Sequence, residues 1–154
     1  MAARVGEPAP DFELPGSGDR TYRLVDYAGQ ELILAFYPGD FTTVCTRQFC
    51  SYRDQEPRLR ELGVALLGVS PQAVDSHERF IAEHDLKLPL LADKDRSVAA
   101  AYGVKAGPLT RRAIFLIDAD GVIRHRHITK LGLSFQGVDE IEQAVHAARS
   151  AATD

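Results

Sequence analysis

Residues 32–37 read LILAFY and run straight into residues 38–50, PGDFTTVCTRQFC. Six apolar residues without polar alternation are expected of a strand covered on both faces. From near Thr43, apolar or aromatic side chains recur at helical spacing at Cys45, Phe49, Tyr52, Leu59 and Leu62. The chain therefore passes from a buried strand to a helix within a few residues. Cys45 falls in the first helical turn, at the C-terminal end of that strand.

Working outward, residues 64–69 (VALLGV) and 114–117 (IFLI) are two more buried-strand runs. The second is followed by the turn Asp118-Ala119-Asp120-Gly121 and an alternating strand over 122–128. Residues 12–14 and 21–24 flank the turn-rich PGSGD and read as an N-terminal hairpin. Helices are expected between the strands. Pro57 should kink the one that starts near Thr43, and Gly63 should stop it. Ser70-Pro71 reads as a cap plus first-turn proline opening a helix to about His84. A short helix is expected over 97–102, and Val138, Ile141, Val145 and Ala148 mark a final amphipathic one. Strands alternating with helices predict an α/β layered domain with a mixed sheet, one domain over residues 1–154.

The length of 154 residues suits one such core. A net charge of −4 gives a phosphate backbone nothing to attract, so nucleic acid is not an expected partner. No apolar run approaches the roughly 20 residues that span a bilayer, so no membrane partner is expected either. The N-terminal segment lacks the apolar core of a signal peptide. A cytoplasmic location is expected, where a structural disulfide is unusual and a transient one is chemically reasonable.

Cys45 and Cys50 are the chain's two cysteines. A thiol is mostly protonated at neutral pH, and the thiolate is the nucleophile. At a helix N-terminus the free N–H groups and the positive dipole end favour an anion. Thr42 can cap that turn or offer its hydroxyl to a bound oxygen. Pro38, with no N–H, can wall the sulfur without competing for hydrogen bonds. A cation would complete the site, and Arg111 and Arg112 stand just before the strand at 114–117. In an intact helix, residues five apart have Cα atoms ~8.6 Å apart, pointing about 140° away from each other. A disulfide needs roughly 7 Å or less. Either Cys50 is inert or the segment unwinds locally. A plain buried thiol is a common small hydrophobe. The Cys-x4-Cys gap fits neither zinc spacing nor a Cys-x-x-Cys redox motif. His125 and His127 share a strand face and read as solvated polar residues.

Pro38, Thr42 and Cys45 match the peroxiredoxin signature P-x-x-x-T-x-x-C. Residues 45–54, CTRQFCSYRD, resemble the C-T-x-Q-x-C-x-x-R-D pattern of the bacterioferritin comigratory protein, or peroxiredoxin Q, subfamily. Residues 9–12 (APDF), 77–80 with 90–93, 101–104 (AYGV) and 112–118 (RAIFLID) also match in order and spacing, so the resemblance covers nearly the whole chain. It implies a thioredoxin-like fold and a thiol peroxidase without metal or cofactor. Cys45 would be the peroxidatic cysteine, Cys50 the resolving one and Thr42 the peroxide-binding hydroxyl, with Pro38 shielding the sulfur. Arg112, immediately before the strand, would be the family's arginine. The implied partners are a peroxide substrate and a thioredoxin-like dithiol reductant, with the chain a monomer or weak dimer. Phe49 stands where the subfamily usually has a small residue, and Val44 where a glycine is common. A non-catalytic peroxide sensor or redox chaperone on the same fold is the alternative reading.

Overall fold

The pleat of residues 32–37 sends alternate side chains to two separate cores. Leu32, Leu34 and Phe36 enter one, and Ile33, Ala35 and Tyr37 the other. The structure is a computed structural model and describes residues 3–129 and 135–152. In chain order the strands are β1 (Glu13–Gly16), β2 (Arg20–Arg23), β3 (Leu32–Phe36), β4 (Ala65–Ser70), β5 (Leu90–Ala92), β6 (Lys105–Ala106), β7 (Leu109–Thr110), β8 (Ala113–Ile117) and β9 (Ile123–Ile128). The helices are α1 (Thr43–Asp54), α2 (Glu56–Leu62), α3 (Val74–His84), α4 (Ser97–Ala101) and α5 (Val138–Ala152).

Seven strands form one sheet in the order β2-β1-β5-β4-β3-β8-β9. Strand β3 pairs parallel with β4 and antiparallel with β8, so the sheet is mixed, as expected. Strands β3 and β8 are buried along their whole length, which accounts for their unbroken apolar runs. Side chains from α1, α2, α3 and α5 close the core on one face. Side chains from α4 and the N-terminal hairpin close the other. Each fully buried Leu, Ile or Phe contributes ~1.5–3 kcal/mol relative to an exposed one, so a central strand covered twice is the anchor of the fold.

The local outcomes depart from expectation in four places. The long helix is two helices, since α1 ends at Asp54 and α2 begins at Glu56. Pro57 therefore lies in the first turn of α2, where a missing N–H costs nothing, rather than kinking a helix interior. Gly63 does stop α2, in the left-handed conformation at φ 80°. Ser70 does not cap a helix. It is the last residue of β4, paired with Ala92, and α3 begins only at Val74. Strand β5 and the small β6–β7 hairpin were not expected.

Gly68 of β4 lies under α1. A Cβ there would sit 2.6 Å from Leu90 Cδ2 and 3.0 Å from Phe49 Cε1. Gly68→Ala is expected to destabilise the protein by about 1–3 kcal/mol, the usual cost of overpacking. Urea denaturation would read it as a lowered midpoint at unchanged slope. An unchanged midpoint would show that α1 yields freely to the added methyl.

Candidate active site

Strand β3 delivers the chain to the site, and the loop after it is held from below. Tyr37 N–H donates to Val69 O at 3.0 Å, extending the ladder by one residue. The Asp40 carboxylate is buried and accepts the Tyr37 hydroxyl and the Ser76 hydroxyl, both at 2.7 Å. It also lies 2.8 Å from His77 Nδ1, while His77 Nε2 lies 2.9 Å from Leu91 O. Burial, with Asp40 beside it, pushes the Tyr37 hydroxyl well above its ordinary range, so it remains a donor. This cluster ties the loop to α3 and β5. Phe41 then turns the backbone through a left-handed φ of 64°, which costs roughly 1–2 kcal/mol for a residue with a side chain. Its ring packs edge-on against Phe80 at 5.2 Å, which offsets part of that.

The turn puts Thr42 at the N-cap of α1. Its Oγ1 accepts from Cys45 N at 3.4 Å and donates to Gly39 O at 3.3 Å. Thr46 N–H closes the first helical bond to Thr42 O at 2.8 Å. Cys45 is thus three residues into the helix, in the turn where the dipole favours an anion, and is fully buried. Pro38 is half-buried in the same loop.

Arg112 arrives from the other side of the sheet's centre. The register pairs Phe36 with Ala113, so the residue before Ala113 stands at the end of β3 where the Cys45 loop begins. Arg112 Nη1 lies 3.2 Å from Cys45 Sγ and 2.6 Å from Gln48 Oε1. Arg112 is only 4% exposed, and its buried Nε has no hydrogen-bond partner among the described residues. No carboxylate lies within ion-pair distance of it among the described residues. Arg111 is exposed.

Pro38, Thr42, Cys45 and Arg112 therefore meet at one end of β3. Cys50 stands apart from them. It is a half-buried free thiol further along the same unbroken helix, so ideal helix geometry keeps its Cα ~8.6 Å from that of Cys45. Between the two, Phe49 is fully buried, with its ring 4.6 Å from Tyr37 and 5.5 Å from Tyr52. Sequence reasoning did not single out Asp40, and Gln48 entered it only as part of the matched run at residues 45–54. Helical spacing could have flagged Gln48, because Cys45, Gln48 and Tyr52 follow at i, i+3 and i+7 on one buried face. His77 is a buried structural residue of α3, bonded at both ring nitrogens. His125 bonds the Gln136 side chain, and no group of three metal-ligating side chains occurs among the described residues.

A thioredoxin-like sheet with a capped, arginine-paired cysteine after its central strand defines the peroxiredoxin class. The sequence matches the AhpC/TSA family over residues 5–126. It is 36% identical over 129 residues to peroxiredoxin Bcp of Bacillus subtilis (strain 168), covering 79% of this chain and 82% of that one. Against peroxiredoxin Bcp of Escherichia coli (strain K12) it is 36% identical over 130 residues, covering 79% and 83%. The structure is similar to the crystal structure of a reduced 2-Cys peroxiredoxin from Plasmodium vivax. The TM-score is 0.88 at 28% identity, over 97% of this chain and 83% of that one. It is also similar to peroxidoxin BcpB from Mycobacterium tuberculosis, with a TM-score of 0.83 at 27% identity over 96% and 97%. The chain belongs to the AhpC/TSA family and is a peroxiredoxin, a thiol peroxidase by class. No helix among the described residues is long and apolar enough to cross a membrane.

Proposed function

We propose that this chain is an atypical two-cysteine peroxidase, acting as a single domain in the cytoplasm on hydrogen peroxide and organic hydroperoxides. Cys45 is the peroxidatic residue, Cys50 the resolving one, and a thioredoxin-like dithiol protein the reductant. The observation that carries the reading is the lone buried guanidinium. A buried charge is costly unless paired. The group beside Arg112 able to become its counter-ion is the Cys45 sulfur at 3.2 Å.

The Cys45 thiolate attacks the terminal oxygen of the peroxide. The S–O bond forms as the O–O bond breaks, and the leaving oxygen takes a proton and departs as water or alcohol. Arg112 and the first-turn N–H groups face the charge that shifts onto the leaving oxygen. The Thr42 hydroxyl, now given to Gly39 O, can turn to the incoming peroxide. Pro38 covers the sulfur without competing as a donor. Cys45 is left as a sulfenic acid. Cys50 then condenses with it, releasing water and forming an intramolecular disulfide. Thiol–disulfide exchange with the reductant returns two thiols and leaves the reductant oxidised. Condensation requires the first turns of α1 to unwind and Phe49 to leave its pocket.

Steady-state peroxide consumption with a thioredoxin system tests the reading, since a sensor or chaperone would oxidise once and stop. Cys50→Ser is expected to reduce one equivalent of peroxide and then stall as a sulfenic acid open to further oxidation. Mass spectrometry of oxidised wild type should show a Cys45–Cys50 bond as the loss of two hydrogens, with faster hydrogen exchange across residues 42–55. A disulfide-linked dimer, or unchanged protection in that window, would rule out local unwinding.

A further inference from the structure

Beyond the cysteines and Arg112, one polar chain runs through the core under the site. Gln48 Nε2 donates to Tyr52 Oη at 2.8 Å, and Tyr52 Oη donates to Gln136 O at 2.6 Å. The Gln136 side chain is in turn 2.9 Å from His125 Nε2 on β9. We propose that Tyr52 is a positioning residue for the peroxidase reaction, acting through Gln48 to aim the Arg112 guanidinium at Cys45 Sγ. This rests on the reading of Cys45 as the nucleophile.

The direction of each bond from Arg112 through Gln48 and Tyr52 to the Gln136 carbonyl is forced. A guanidinium only donates, so Gln48 must turn its carbonyl oxygen to Arg112 and its amide nitrogen away. The nitrogen then needs an acceptor. Tyr52 Oη has one proton, and the Gln136 carbonyl, which only accepts, takes it. With that proton committed, the phenol faces Gln48 as an acceptor. A flipped Gln48 would set two donors, amide and guanidinium, against each other. Burial raises the Tyr52 hydroxyl far above its ordinary range, so the proton stays in place at any working pH.

Packing alone does not call for the hydroxyl. The Tyr52 ring stacks edge-on against Phe49 at 5.5 Å, and phenylalanine would do the same. A hydroxyl buried here must be bonded at both ends to be tolerated, and it is. Without it, the Gln48 amide and the Gln136 carbonyl lose a partner each, and Gln48 is free to rotate away from Arg112. The segment before α5 thus helps set the geometry of a thiol that lies on another element.

The test uses Tyr52→Phe in a Cys50→Ser background, where Cys45 is the one thiol left. Single-turnover oxidation of Cys45 by hydrogen peroxide is expected to slow about tenfold, an order below the loss of a direct oxyanion donor. Alkylation by iodoacetamide, which needs no arginine aimed at an oxygen, should slow less, so the ratio of the two rates falls. A purely structural role would move both rates together. In an Arg112→Ala background Tyr52→Phe should have no further effect on oxidation, because it acts through the missing group. Gln48→Met, which removes the amide at similar volume, should repeat the Tyr52→Phe result. An unchanged rate ratio, or the same tenfold loss without Arg112, would overturn the proposal. If Cys45→Ser protein still reduces peroxide, the proposed function fails as well. Oxidation of Cys45 at the full rate in Tyr52→Phe would remove the relay alone.

Discussion

Cys45→Ser protein is expected to lose peroxide reduction to the background rate, a fall of at least about 10³-fold and of the order seen when a nucleophile is deleted outright. The reason is chemical. An alcohol at this position ionises far less readily than a thiol and is a weaker nucleophile toward peroxide oxygen. Serine is nearly isosteric, and Cys45 is fully buried, so the helix should remain formed with the Thr42 cap on the residue 45 N–H. Circular dichroism should therefore be unchanged while consumption of peroxide stops. The Cys50→Ser protein provides the contrast, since it should still complete one turnover. Most activity surviving in Cys45→Ser would sink the assignment of the nucleophile.

Arg112→Ala is expected to slow oxidation of Cys45 by about 10²–10³, the scale of losing one preorganised donor to a developing oxyanion. Two effects add. The sulfur loses the cation 3.2 Å away that favours its anion, and the leaving oxygen loses a donor. Arg111→Ala is the control. That side chain is exposed, and its backbone N–H is spent on Val104 O at 2.7 Å, so its removal should change the rate less than about threefold. Stopped-flow oxidation of both variants decides the matter. If Arg111→Ala proves the slower, the wrong arginine has been chosen.

What could be read in the sequence follows from how much of each element is buried. Strands β3, β4 and β8 are covered on both faces, so their apolar runs are unbroken and their edges fell within a residue of expectation. Strand β5 has three residues and β6 and β7 two each, too short to show a period. The break at Gln55 escaped notice because apolar residues on either side keep helical spacing across it. Ser70 misled because a serine before a proline is a good cap only where the backbone is free, and here β5 claims it. In the site, Thr42 and Cys45 are local and legible from their spacing. Arg112 is 67 residues from Cys45 in sequence, and only resemblance to a family chose it over its neighbour. The bonds that fix Asp40 and Gln48 join side chains from different elements, which no local pattern records.

Gly68 and Phe49 share a single parcel of space between sheet and helix. The methyl that β4 lacks is room that the Phe49 ring occupies together with the Leu90 side chain. Volume has in effect been moved from the sheet into α1, to the residue next to the second thiol. On the proposed mechanism that placement makes the ring a timer. The helix must release it before the two sulfurs can meet, and every ~1.4 kcal/mol that the pocket holds it by divides the open fraction by ten. The lifetime of the sulfenic acid, and so the window in which a second peroxide can destroy the enzyme, would then be set by a glycine that never touches sulfur.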